Sequence, residues 1–152
     1  TVAEDAPATI LAPDTATPDG TLTGDAAFSL SLDGLPFVPV VVYQSDTAGN
    51  DTEADPFAAL RDDLQEAIDT AVGAEKVLVE ALGARIRLAT VDTGPEVSLE
   101  IRVNPVDPAA TELGLSSNYA RGIIETFEQT YLFYQTHDVE RTVIDTQAGN
   151  DE

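Results

Sequence analysis

The sequence predicts an α+β fold: a mostly antiparallel sheet with one main helix packed on one face, ordered ββαβββ, and then a β-rich C-terminal segment. Three observations predict it. Short runs in which apolar and polar residues alternate recur along the chain, as half-buried strands require. One stretch, beginning at Pro56, repeats its apolar residues every three or four positions, as an amphipathic helix does. Breaks centred on glycine and proline separate these runs. A lone helix beside several strands buries its stripe most economically against one face of their sheet.

Residues 1–18 contain Pro7, Pro13 and Pro18, with Ile10 and Leu11 as the only sizeable apolar anchors. They read as a linker or a loosely attached strand. From residue 21 to 32, Phe28, Leu30 and Leu32 alternate with Ser29, Ser31 and Asp33, which makes a strand with one wet face. Asp33-Gly34 is a hairpin turn signal. A second strand covers 37–43. Pro36 and Pro39 lack N–H donors, which places it at an edge or pairs it on one side only.

A polar loop leads to the helix. Asp55 is a good N-cap and Pro56 suits the first helical position. Phe57, Leu60, Leu64, Ile68 and Ala71 form the apolar stripe, while Arg61, Asp62, Asp63, Glu66 and Asp69 occupy the wet side. Gly73 ends the helix. Val77, Val79 and Ala81 begin the next strand, and Leu82-Gly83-Ala84 connects it to one carrying Ile86 and Leu88. Thr93-Gly94-Pro95 breaks the chain before a fifth strand with Val97, Leu99, Ile101 and Val103. Asp107 caps a short helical turn over 108–113, closed by Gly114. Residues 19–115 thus read as one module. Residues 116–152 are dense in aromatic and β-branched groups, among them Ile123, Ile124, Phe127 and Tyr131. They read as further strands on that module or, in the favoured reading, as the opening of a separate β-rich one.

Composition narrows the function. The chain has 152 residues, with 7 Lys and Arg against 28 Asp and Glu, a formal charge of −21. Such a surface repels phosphate backbones and anionic lipid, which argues against nucleic-acid partners and membrane-surface binding. No apolar run is long enough for a membrane-spanning helix, so no membrane insertion is expected. Without cysteine there are no disulfides and no thiolate chemistry. A single histidine, His137, excludes a site built on two imidazoles. The acidity suits high salt, or an extracellular setting where carboxylates bind Ca²⁺. It equally suits a solvated surface with no specific ligand. The absence of any methionine marks the sequence as an excised or processed piece of something longer.

Candidate chemistry is sparse. Asp46, Asn50, Asp51, Glu53 and Asp55 form an oxygen-rich loop of the kind that holds Ca²⁺. Their spacing is not that of an EF-hand, and a solvated loop with Asp55 used as a cap is the simpler reading. Asp62-Asp63 and Asp138 with Glu140 are carboxylate pairs of the type glycosidases use, but the first lies on the wet side of the helix. His137 beside Asp138 lacks a partnering G-x-S-x-G nucleophile. No phosphate-binding glycine loop and no basic patch is present. No catalytic residues and no enzymatic activity are expected.

The run Asp19-Gly20-Thr21-Leu22-Thr23-Gly24-Asp25-Ala26-Ala27-Phe28-Ser29-Leu30-Ser31-Leu32-Asp33-Gly34 opens a longer likeness. The helix from Asp55-Pro56-Phe57 through Leu64 to Ile68 continues it. So do the strand from Ala84 to Thr90 and the closing Ala110-Thr111-Glu112-Leu113-Gly114-Leu115. Over 19–115 the chain resembles the flagellin IN-type repeat module, most closely its relatives in giant secreted bacterial surface proteins of the RTX and adhesin kind. Pro36 and Pro39 depart from that pattern. The tail resembles the opening of an RTX-type calcium repeat, matched over Gly149, Asn150 and Asp151, with Asp145 as a further oxygen donor.

The resemblance implies a non-enzymatic structural or adhesive repeat module of a large exported bacterial surface or fibre-forming protein. Its place would be extracellular or on the cell surface, and its partners neighbouring copies or modules of the same protein. The alternative is a calcium-dependent glycan- or surface-binding module, with the aromatic stretch 127–134 as a stacking surface. The candidate metal ligands are Asp46, Asn50, Asp51, Asp145, Asn150 and Asp151.

Overall fold

The computed structural model describes residues 2–126. Asp5–Ile123 forms one compact unit. The strands are β1 (Val2–Asp5), β2 (Pro7–Leu11), β3 (Ala26–Leu32), β4 (Val38–Val42), β5 (Val77–Leu82), β6 (Arg85–Val103) and β7 (Asn118–Thr126). The helices are α1 (Gln44–Thr47), α2 (Pro56–Val72) and α3 (Pro108–Thr111), with a 3₁₀ turn at Asn50–Thr52. The class is α+β, with a seven-stranded sheet ordered β1-β7-β6-β3-β4 and with β2 and β5 joined to β6 off that path. Every pairing with a described register is antiparallel.

α2 forms where the sequence places it. The Asp55 carboxylate accepts from Ala58 N–H at 3.1 Å, Pro56 occupies the first turn, and Gly73 closes the helix by donating to Asp69 O. Leu60, Leu64 and Ile68 are fully buried. They join Phe28, Leu30, Val40, Val42, Val77, Ile86, Leu88, Leu99 and Ile101 in the main core. Among the described residues β4 pairs only with β3, at the end of the strand order. This is the one-sided pairing that Pro39 demands.

Four features differ from the sequence reading. Within 1–18, expected as a linker or a loosely attached strand, residues 7–16 are firmly held: β2 pairs with β6, and Ala8, Ile10, Ala12 and Ala16 are buried. Their alternation is real but mostly written in alanine, whose small side chains look like loop composition. The expected break at 93–95 is also absent, because β6 runs unbroken from Arg85 to Val103. Gly94 adopts φ +123°, and the pairing with β7 shifts register between Gly94 and Ser98. The irregularity bends the strand without ending it. β6 therefore pairs with β2 and β5 along its first part and with β3 and β7 along its second.

The polar loop after β4 is ordered as α1 and the 3₁₀ turn. Finally, residues 118–121 pair with 98–101 and belong to the compact unit. The start of the C-terminal segment is thus one more strand on the preceding sheet.

Candidate functional site

Among the described residues a groove of about 500 Å³ lies between the edge strand β4 and the flank of α2. Val38, Val41 and Tyr43 line one wall, and Ala67 and Ala71 the other, with Asp46, Asp63 and Glu66 at the rim. Its walls follow from local sequence rules. Pro39 has no N–H, so its pair with Ser29 is a non-hydrogen-bonded one. Along an antiparallel ladder such pairs alternate. Val41 therefore turns its N–H and C=O away from β3, into the groove. Ala27, opposite Val41, correspondingly sends its N–H elsewhere, to Asp107 Oδ1 at 2.8 Å.

One end of the groove is fixed by an unusual corner. Asn50 is buried and donates through Nδ2 to Gly20 O at 3.0 Å and to Asp63 Oδ2 at 2.8 Å. Gly20 has φ +75° and lies so close to Pro56 that a Cβ would collide with the Pro56 carbonyl oxygen. Only glycine fits there. Thr47 ties α1 to the same segment: its Oγ1 accepts from Leu22 N–H at 3.0 Å and donates to Gln44 O at 2.9 Å. Asp25 accepts from Gln44 N–H at 2.9 Å.

Asp63 carries the perturbed charge of the site. Partial burial raises its pKa above the ordinary 3.8; the Asn50 hydrogen bond opposes that, and the nearby charges of Asp46, Glu66 and Asp62 reinforce it. Contrary to its expected place on the wet side of α2, Asp63 is half-buried and faces the groove. Asp62, one position earlier, is exposed. Successive helical residues point about 100° apart, so the two carboxylates do not converge and form no catalytic pair.

The expected metal loop is also dispersed. Asp46 stands at the groove rim, Asn50 presents its amide nitrogen to a carboxylate, and Asp51 is exposed on the 3₁₀ turn. Among the described residues no group of three or more His, Cys, Asp or Glu side chains is placed to hold a metal ion. Asp145, Asn150 and Asp151 lie outside the described residues, as do His137, Asp138, Glu140 and the aromatic stretch 127–134.

The sequence reading missed Gln65. Its Nε2 donates to Val77 O at 2.7 Å and its Oε1 accepts from Val79 N–H at 2.8 Å. One amide thus takes up two backbone groups on the free edge of β5. The available signal was weak: a glutamine directly beside the stripe residue Leu64.

No family model matches the chain, and neither a curated protein nor a solved structure matches it.

Proposed function

We propose that this chain is a structural or adhesive module of a large exported bacterial surface or fibre-forming protein, which works by keeping its shape and presenting surfaces. The observation that carries the reading is how its acids are used. Asp25, Asp33, Asp55, Asp107 and Glu112 each accept a backbone N–H that would otherwise lack a partner at a turn or cap: those of Gln44, Ser98, Ala58, Ala109 and Thr23. Asp107 accepts from Ala27 as well, and Glu112 also receives the Thr23 hydroxyl. Charged acceptors make the stronger hydrogen bonds, so the carboxylates clamp loops to strands.

The buried polar side chains are used in the same way. Ser31, Thr47, Asn50 and Thr90 all bond within the fold. From β3 to β6, with α1 and the 3₁₀ turn set aside, the elements run ββαββ, the order of the flagellin IN-type repeat, which supports the same reading. Antibodies raised against the folded chain test it. They should label surface structures on intact cells of the source organism, and the parent reading frame should carry residues 19–115 in tandem. Label found only after the cells are permeabilised would overturn the reading.

A further inference from the structure

We propose that the outward face of β2, β6 and β5 docks onto a second copy of this chain, seated in that copy's groove between β4 and α2. The proposal deepens the structural reading above and rests on it. Antiparallel register sets Leu78 opposite Ala89, Glu80 opposite Arg87 and Leu82 opposite Arg85, and cross-strand partners share a face. The alternate residues Val77, Ile86 and Leu88 are fully buried in the core with the stripe of α2. The face in question is therefore turned away from the helix.

On that face Leu78, Leu82 and Val91 stay 43%, 48% and 45% exposed. Single exposed leucines are ordinary, but several on one sheet face mark a contact surface. Charge says what kind of contact. The chain holds 7 cations against 28 acids, yet Arg85 and Arg87 both stand here. The acid among them, Glu80, is engaged by Arg87 at 2.8 Å. Among the described residues Arg85 has no acidic side chain paired with it and stands beside apolar side chains, on a molecule of charge −21.

Its complement is a concave apolar surface with an acidic rim, and the chain itself carries one. Val38, Val41 and Tyr43 give the groove its apolar wall, and Asp46 and Glu66 stand at its rim. Matching of this kind steers encounter and fixes register. Because face and groove are different surfaces, the contact is heterologous. Each joined pair keeps one free face and one free groove, and growth continues head to tail.

Sedimentation at rising protein concentration tests this, in about 0.15 M salt so that charges are screened beyond about 8 Å. The wild-type chain should grow in mass past a dimer. Arg85→Glu, which spoils the face, and Glu66→Lys, which spoils the groove, should each remain monomeric where the wild type associates, with unchanged melting temperatures. Leu82→Ser spoils the face without touching charge and should act like Arg85→Glu. Mixing Arg85→Glu with Glu66→Lys should restore association, since each supplies the surface the other lost. A wild-type chain that stays monomeric, variants that associate as it does, or a mixture that stays monomeric would overturn the proposal. None of those results alters surface labelling of cells, so failure here is distinguishable from failure of the structural reading.

Discussion

β4 and β5 are both packed against α2 and, among the described residues, both paired on one side only, yet their free edges are finished differently. Gln65 reaches from the helix to β5 and takes up Val77 O and Val79 N–H with a single side-chain amide. Among the described residues nothing comparable reaches β4. There, Pro39 removes one outward N–H, Val41 keeps its own, and the groove lies alongside. An exposed edge is a template for further pairing unless it is covered or blunted. The comparison teaches that one helix can hold part of one edge and leave its neighbour as a surface for use.

The largest expected effect comes from breaking what the two edges share. Leu64 is fully buried at the centre of the helix stripe. Leu64→Ala should cost about 2–5 kcal/mol in denaturant unfolding and expose both edges together. Loss of under about 1 kcal/mol would mean that α2 is not what holds them.

The caps and stripe of α2 were fully legible in the sequence, because Asp55-Pro56, the three-and-four spacing and Gly73 all state the same helix. Much else was not. β2 was hidden because Ala8, Ala12 and Ala16 bury well while looking like loop residues. The continuity of β6 was hidden because a glycine beside a proline signals a turn, and only the pairing on both sides of Gly94 turns it into a bend. Of the candidate site, the apolar wall of β4 was legible and the groove was not. Its acid Asp63 becomes distinctive only through Asn50, thirteen residues away, and Gly20.

Gln65→Ala should sharpen the comparison by opening one edge alone. It strands a partly buried carbonyl and amide, an expected cost of about 1–3 kcal/mol, read by thermal or denaturant melting. Gln65→Glu should recover little of that, since an ionised carboxylate cannot donate to Val77 O.

The open edge should reveal itself in pH dependence. Asp63 holds its proton more tightly in the folded chain than in the unfolded one, because its pKa is raised above 3.8. The folded state therefore binds more protons in the window just above 3.8, and stability falls as pH rises through it. Asp63→Asn should remove that fall while keeping an acceptor for Asn50. Asp19 works in the opposite sense. Its carboxylate is held below 3.8 by Thr21 N–H first, then by the Thr17 and Thr21 hydroxyls, so it favours folding above that pH and loses the contribution as pH falls. An Asp63→Asn chain whose stability–pH curve overlays the wild type would remove Asp63 from the site's electrostatics.

The smallest expected change in stability belongs to Pro39→Val. The new N–H points outward, so the melting temperature should barely move. The edge gains a donor, and association at high concentration should increase. A large loss of stability would instead show that Pro39 is needed within β4.

Residue-resolved amide hydrogen exchange of the native chain tests the difference between the two edges most directly. Val79 N–H, bonded to Gln65, should exchange slowly, close to the rate of the core strands. Val41 N–H, turned into the groove, should exchange orders of magnitude faster. Equal protection at the two positions, or faster exchange at Val79, would contradict the assignment of one closed edge and one open one.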